Sequence, residues 1–200
     1  AGLAFWILRR NEPAGVQFDV LAATDVPHRV GQHAAATRLD LETGSMRFRL
    51  ASGATVDAAS PVAIELLDSM RLRLLRGSVT ADVGTDARGF AIETANARVV
   101  DLGTRFGISV GDSGDTDVVV FEGEVEIHNP GKAGPAETSV MSLTEGEAVR
   151  VDSKRKVKRL ETVALRGDPP ALAGGGKKRS ALVASVTDNL GETGFHRFYS

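Results

Sequence analysis

The chain has 200 residues, of which 42% are hydrophobic and only 5% aromatic, so a core of ordinary size has to be built from aliphatic side chains. The formal net charge of -2 argues against a dedicated nucleic-acid surface, which needs a basic excess. The absence of cysteine excludes disulfides, thiolate zinc sites, iron–sulfur clusters and cysteine nucleophiles.

The first ten residues predict the end of a transmembrane helix. Residues 1–8 read AGLAFWIL, and Arg9 and Arg10 follow, with Trp6 at a position that suits a membrane–water boundary. Eight residues cannot cross a bilayer, which takes about 20, so the sequence is interpreted as starting inside an apolar helix. A short buried strand or helix end is the alternative. The positive-inside rule places Arg9 and Arg10 in the cytoplasm, in conflict with the outward topology that the family resemblance implies.

Residues 16–152 predict an all-β domain. Short runs of alternating apolar and polar residues fill this stretch, without a convincing 3.6-residue period, and Gly, Pro, Asn and Asp separate them. The run at 118–121 is continuously apolar, as in a strand buried on both faces. The predicted strands lie at 16–25, 47–50, 62–66, 71–74, 90–94, 106–110, 118–121, 125–127 and 149–151.

One pattern recurs along this domain: an apolar residue, two or three variable positions, glycine, and then Val or Phe. Its spacing of about 23 residues predicts stacked short antiparallel hairpins, in a β-solenoid or β-roll-like arrangement. Chance turns between strands of similar length are the alternative. The five glycines are Gly53, Gly77, Gly103, Gly123 and Gly146.

The composition changes after Asp152. Residues 153–180 contain a run of cations at 154–159, two adjacent prolines and a glycine triplet, and they predict a linker. The cations could contact phosphates or anionic headgroups, although a solvated linker is the preferred interpretation. Residues 181–200 predict the start of a further module.

No constellation of residues predicts catalysis or metal binding. His28 and His33 are five residues apart and lack a carboxylate at metal-ligand spacing. Asp112, Asp115 and Asp117 lie in a glycine-containing loop without the spacing of a calcium loop, so a polar hairpin tip is preferred. A nucleophile elbow and a phosphate-binding loop are both missing from the sequence. No cofactor is therefore expected, and the chain is predicted not to be an enzyme.

Residues 41–152 resemble the FecR domain of bacterial membrane-anchored regulators. The most specific part is the stretch 97–110, which contains Asp101-Leu102-Gly103-Thr104-Arg105-Phe106. Similar elements stand in order around it, at 50–56, 73–79, 89–94, 120–125 and 143–147. The sequences of these motifs are most similar to those of planctomycete-type FecR-like proteins.

The resemblance implies a single-pass inner-membrane protein whose all-β region lies in the periplasm and senses a signal. It also implies an extracytoplasmic-function sigma factor as partner, bound through a cytoplasmic segment that these residues do not include. The alternative is a structural or carbohydrate-binding surface protein, in which this domain is a spacer beneath a module with a glycan ligand. The family has no catalytic residues to transfer, so the motif residues are interpreted as structural: Gly53, Gly77, Leu102, Gly103, Thr104, Phe106, Gly123 and Gly146.

Overall fold

The computed structural model describes residues 15–130, 141–166, 182–187 and 193–197. Strands dominate these residues, and one short 3-10 turn lies at Thr85–Ala87. The prediction of an all-β fold is therefore confirmed. The strands are β1 (Val16–Thr24), β2 (His33–Ala36), β3 (Arg38–Leu41), β4 (Ser45–Leu50), β5 (Thr55–Asp68), β6 (Arg71–Asp82), β7 (Ala91–Glu93), β8 (Arg98–Asp101), β9 (Arg105–Val110), β10 (Thr116–Glu122), β11 (Glu124–His128), β12 (Met141–Thr144), β13 (Ala148–Val151), β14 (Val157–Arg166), β15 (Leu182–Thr187) and β16 (Thr193–Arg197).

The hairpin of β5 and β6 departs most from the predicted strands. The alternating pattern predicts only 62–66 and 71–74, whereas the observed strands have 14 and 12 residues. They pair on both sides of a bulge, which lies between Ala59 and Ala63. Gly77 faces this bulge with φ 84°, and a Cβ there would lie 2.1 Å from the carbonyl oxygen of Pro61. Proline and glycine thus mark a bend within two long strands, and not the ends of short ones.

The sheet consists of two halves that share β5 and β6. Half I contains the second part of β5 and the first part of β6, in the order β3-β5-β6-β7-β8-β11-β12. Half II contains the other parts of the two strands, in the order β2-β1-β4-β5-β6-β9-β10-β13-β14. Strands β15 and β16 continue the sheet beyond β14. Among the described strands, β6 and β7 form a parallel pair and the other pairings are antiparallel.

Side chains from both halves form one buried apolar cluster. Phe18 and Phe48 of half II pack edge to face, with ring centroids 5.5 Å apart, and Ile92 and Leu143 of half I belong to the same cluster. Apart from these rings and a few others, the cluster is aliphatic, as the composition predicts. The two halves therefore face each other across a shared core.

The turns of half II lie at its two opposite ends. At the first end, which we call the glycine corner, the chain passes between the halves at residues 101–104, 122–124 and 144–147. At the second end, which we call the hairpin end, the turns 111–115 and 152–156 connect β9 to β10 and β13 to β14. The register fixes this assignment, because Arg105 pairs with Asp82 at the corner and Val110 pairs with Gly77 at the hairpin end.

Strand β14 lies inside the segment 153–180, which the sequence predicts as a linker. Over 157–166 the structure has a strand, whose first part pairs with β13 and whose second part pairs with β15. Leu160 is buried and packs with Val119 and Ala148 on the face of half II opposite the core. The cations that suggest a linker occupy exposed positions of the strand, such as Lys158 and Arg159.

The sequence predicts an anchor and a further module at the two ends of the chain. The predicted helix end at 1–10 lies outside the described residues, as do residues 167–181. No helix in the described part of the chain is long and apolar enough to span a membrane. Of the predicted module at 181–200, the structure gives strands β15 and β16. The division into anchor, domain, linker and module stays a prediction.

Candidate functional site

The motif Asp101-Leu102-Gly103-Thr104 forms the passage from β8 of half I to β9 of half II. Asp101 ends β8 with no exposed surface, and its Oδ2 accepts a hydrogen bond of 2.7 Å from the Gly103 N–H. Burial raises the pKa of the Asp101 carboxyl above its usual value, although the Gly103 hydrogen bond acts in the opposite direction. A buried carboxylate that binds its own turn in this way fixes the turn's geometry.

The Thr104 hydroxyl joins this passage to the next one, which runs from β10 to β11. Its Oγ1 donates to the carbonyl oxygen of Glu124 and accepts from the Glu124 N–H at 3.2 Å. The Leu102 N–H donates to the same carbonyl at 3.1 Å. Phe106, two residues after Thr104, is fully buried in the shared core. The motif thus connects two passages between the halves and places the Phe106 ring in the core next to them.

Gly123 lies where the two passages touch. It has φ 85°, and a Cβ on it would lie 2.7 Å from the carbonyl oxygen of Gly103, a distance that real Cβ atoms do not reach. The third passage, from β12 to β13, docks alongside through a hydrogen bond of 2.9 Å from the Gly146 N–H to the Val120 carbonyl. The structure therefore brings Gly103, Gly123 and Gly146 together at the glycine corner.

The two remaining glycines of the repeat lie elsewhere. Gly53 is in the tight turn between β4 and β5, where its N–H donates to the Leu50 carbonyl at 2.9 Å. Gly77 is at the hairpin end, in the bend of β6. The repeat thus marks left-handed backbone positions at turns and crossings of the chain, with φ between 82° and 105° at all five glycines.

The candidate metal and catalytic residues do not converge. Asp117 accepts two hydrogen bonds from Arg150, of 2.7 and 3.0 Å, and the His33 imidazole contacts the Asp19 side chain. His28 contacts the Phe18 ring, with centroids 6.1 Å apart. Within the ranges that the structure describes, no three His, Asp or Glu side chains form a group that could hold a metal ion.

Residues 47–126, which include the β8–β9 and β10–β11 passages, match the family model described as FecR protein. The resemblance to the FecR family is confirmed. The FecR match covers the long hairpin of β5 and β6 and ends in β11, so the third passage of the glycine corner lies outside it. The structural role of the motif residues stays a prediction.

The FecR-like chain also resembles proteins of known structure. Two crystal structures of a "putative anti-sigma factor" from Parabacteroides distasonis, at 2.50 and 1.65 Å resolution, are similar to it with a TM-score of 0.48 and 20% identity. In both cases the match covers 62% of this chain and 58% of the other, so the chain spans less than two thirds of these proteins. The search of the curated proteins gave no match.

Four strands of the FecR-like fold have one edge that pairs with no other strand of the described chain: β2 in half II, β3 and β12 in half I, and β16 at the end of the sheet. On β3 the edge carries charged side chains, Arg38 and Asp40, which pair with each other at 2.7 Å. Edge charges of this kind discourage pairing with another chain. Strand β2 has the sequence His33-Ala-Ala-Ala36 and contains neither a cation nor a proline.

The backbone register shows which groups of β2 are available. The Val20 N–H donates to the Gln32 carbonyl at 2.9 Å, so residues two and four positions further along β2 also bond to β1. The N–H and C=O of His33 and Ala35 therefore point to the open edge. Sequence patterning misses this strand because alanine gives no alternation of apolar and polar residues.

The outer face of half I carries a row of alternating charges that sequence inspection also missed. The Arg73 guanidinium donates to Glu65 at 3.1 Å on one side and to Glu93 at 3.0 Å on the other. The pKa of Arg73 is raised beside Glu93. The signal lies in cross-strand register, which only the fold supplies. The row continues across five strands as Arg38, Glu65, Arg73, Glu93 and Arg98.

Proposed function

We propose that the chain is the non-catalytic regulatory part of a FecR-like protein that controls a sigma factor. The observation that carries the proposal is the match of residues 47–126 to the FecR family, over a stretch whose most specific motif forms the glycine corner. The polar side chains of that corner bind backbone groups of neighbouring passages. Such contacts support a structural role for the motif and give no support to a catalytic role.

The proposal includes a location. The all-β region lies in the periplasm as part of a single-pass inner-membrane protein, and a separate cytoplasmic segment holds the sigma factor. The apolar run of residues 1–8 supports this arrangement. Fusion of alkaline phosphatase after Ser200 tests it in the host, because that enzyme folds only outside the cytoplasm. Phosphatase activity is expected, and an inactive fusion protein of full length would contradict the location.

The test of the regulatory function is genetic and biochemical. Deletion of the gene is expected to change transcription from promoters of one extracytoplasmic-function sigma factor, and that factor is expected to co-purify with the intact protein. If transcription does not change and no sigma factor co-purifies, the regulatory proposal is wrong. Glycan binding by the intact protein under those conditions would favour the spacer function instead.

The open edge of β2 is the proposed contact for a strand of the signalling partner. An extended chain is the partner that satisfies the outward N–H and C=O groups of His33 and Ala35, since only its backbone presents matching groups at strand spacing. The absence of charge and proline on β2 supports this edge over that of β3.

A substitution at Ala35 isolates that contact. Ala35→Pro removes an outward N–H and leaves the ladder to β1 in place, because Ala35 does not bond to β1. Loss of the transcriptional response is expected with Ala35→Pro, at unchanged protein level. Ala35→Val keeps the N–H and is expected to respond like the natural protein. A normal response of the proline variant would exclude this edge as the contact.

A further inference from the structure

Two turns of opposite charge stand side by side at the hairpin end. The acidic tip, residues 111–115, connects β9 to β10, and the basic tip, residues 152–156, connects β13 to β14. The four strands are consecutive in half II, and their last residues are in register through Val110, Thr116, Val151 and Val157. Because strands are spaced by about 4.8 Å, the centres of the two tips lie about 10 Å apart.

The charges of both tips are available for an external partner. Asp112 on the acidic tip is exposed and Asp115 partly so, while Lys154, Arg155 and Lys156 on the basic tip are all exposed. Within the part of the chain that the structure describes, none of these five side chains has an oppositely charged group within 4.0 Å. The two tips are neighbours and yet do not neutralise each other.

Each tip is held in shape by its own hydrogen bonds. On the basic tip, Asp152 Oδ1 accepts from the N–H groups of Lys154 and Lys156, at 2.8 and 2.9 Å. On the acidic tip, the Gly114 carbonyl accepts from the Asn96 Nδ2 amide of half I at 2.6 Å. The backbone of turns that are already ordered loses little conformational freedom when their charged side chains meet a partner.

The backbone conformation of Arg155 is a second observation that favours a functional positive charge on the basic tip. Arg155 has φ 61°, and among the described residues Asp25 is the other non-glycine residue with a positive φ. Glycine or asparagine would adopt this conformation with less strain. Residues in strained backbone conformations cluster at functional sites, which favours a binding role for the Arg155 side chain.

We propose that the hairpin end binds the hairpin end of a second copy of this chain across a two-fold axis. The axis runs perpendicular to the strands, along the normal of the sheet, and passes midway between the two tips, so each acidic tip meets the partner's basic tip and each basic tip meets the partner's acidic tip. A surface that carries both charges side by side is self-complementary under a two-fold rotation, which is the commonest symmetry of protein dimers. A head-to-head dimer about the other perpendicular axis, the line that passes through both tips, would place like charges together.

The other charged groups at this end are compatible with such a pairing. Glu42 forms an ion pair with Arg76, and Asp117 is bound by Arg150, so these four already have partners. Lys158 extends the basic side along β14, one residue pair below the tip. Asp25 and Arg29, in the β1–β2 loop at the same end, are also exposed, but four strand spacings separate β1 from β9. Along β9, β10, β13 and β14 the two tips therefore carry most of the charge that has no ion-pair partner.

The resulting dimer is weak and sensitive to salt. Exposed ion pairs contribute little individually, and they are screened within about 10 Å at 0.1 M ionic strength. Two pairs of tips cover less surface than a stable dimer interface requires. The dimer is therefore expected to form at high local concentration, as for copies held at one site, and not in dilute solution.

Charge reversal tests the proposal by sedimentation equilibrium of the full chain at high concentration. One variant combines Asp112→Lys with Asp115→Lys, which makes both tips basic. The other combines Lys154→Glu with Lys156→Glu, which makes both tips acidic and keeps Asp152 and Arg155 in the turn. The natural chain is expected to dimerise at an ionic strength of about 0.01 M and at least about tenfold more weakly at about 1 M. Each variant alone is expected to be monomeric.

An equimolar mixture of the two variants is expected to dimerise again, because a copy with two basic tips matches a copy with two acidic tips. Recovery in the mixture also shows that both variants are folded. A natural chain that stays monomeric at low ionic strength would overturn the proposal. So would variants that dimerise alone as well as the natural chain does, or a mixture of folded variants that stays monomeric. The result is independent of whether a sigma factor binds.

Discussion

The Thr104 hydroxyl contacts both backbone groups of Glu124: it donates to the carbonyl oxygen and accepts from the N–H at 3.2 Å. The two residues belong to different passages between the halves of the sheet, and they are 20 positions apart in the sequence. One side chain thus ties the β8–β9 passage to the β10–β11 passage. Thr104 is 3% exposed, so water cannot replace the hydroxyl if it is lost.

Replacement of the hydroxyl at position 104 is expected to destabilise the fold. Thr104→Val keeps the shape and leaves the Glu124 carbonyl and N–H without this partner, so the free energy of unfolding should fall by about 1–3 kcal/mol. Thr104→Ser keeps the hydroxyl and is the control. Urea denaturation of both variants measures the difference. Equal stability of the two variants would show that the hydroxyl contacts contribute nothing.

A methyl group on Gly123 is expected to disturb the corner more than one on Gly53. Both residues have a positive φ, so Gly→Ala costs each about 1–2 kcal/mol of backbone strain. At Gly123 the new Cβ would also lie 2.7 Å from the Gly103 carbonyl oxygen, whereas at Gly53 it meets open space. Thermal or urea unfolding of Gly123→Ala and Gly53→Ala separates the two effects. If both variants lose the same stability, the contact between the passages relaxes without cost.

The glycine repeat was visible in the sequence, but the geometry that it serves was not. Positive φ at Gly103, Gly123 and Gly146 is a local property, and the residue type reveals it. Their convergence at one corner depends on which strands pair across the core. Alternation of apolar residues places a strand, but it does not select the strand's neighbours. The FecR resemblance supplied the family and not this arrangement.

Strands β5 and β14 show why parts of the fold escaped prediction. In β5 the sequence Ser60-Pro61 is typical of a turn. The strand continues past it because the residues before and after Ser60-Pro61 both pair with β6. In β14 the run of cations is typical of a linker, and among the described side chains of this strand Leu160 faces the small apolar cluster on the back of half II. Tertiary pairing overrides local propensity in both strands.

The burial of Asp101 predicts a specific dependence of stability on pH. Its folded-state pKa is raised above the ordinary value of 3.8, chiefly because burial disfavours the charged form. A raised pKa means that the contribution of this group to stability is fully present below the unfolded-state pKa and is lost as pH rises through the folded-state pKa. Asp101→Asn keeps an oxygen that accepts from the Gly103 N–H and cannot ionise. The variant is therefore expected to gain stability relative to the natural chain as pH rises from about 3.8 toward neutrality.

Denaturation of both proteins across that pH range measures the effect. The difference in unfolding free energy should be smallest at the acidic end and should become constant once Asp101 is ionised in the folded state. A difference that shrinks as pH rises would mean that the hydrogen bonds of the corner outweigh burial, and that the pKa of Asp101 is lowered on folding instead of raised.

Two arginines of the sheet form ion pairs that differ in burial and should differ in strength. Arg150 binds Asp117, whose side chain is 6% exposed, through two hydrogen bonds of 2.7 and 3.0 Å. Arg73 binds Glu65 and Glu93, whose side chains are 33% and 19% exposed. Removal of one partner of a buried pair leaves a charge that water reaches poorly, and typically costs about 3–5 kcal/mol, against about 0–1 kcal/mol for an exposed pair.

Arg150→Met and Arg73→Met keep most of the aliphatic stem and remove the guanidinium. We expect Arg150→Met to lower the free energy of unfolding by about 3 kcal/mol, and Arg73→Met by about 1 kcal/mol or less. High salt should reduce the effect of Arg73→Met, because ions screen the exposed row of charges, and should leave that of Arg150→Met nearly unchanged. Urea denaturation at low and high ionic strength measures both. If Arg73→Met proves the more damaging variant, the alternating charges of half I stabilise the sheet as a cooperative network, and the burial of single pairs is the weaker effect.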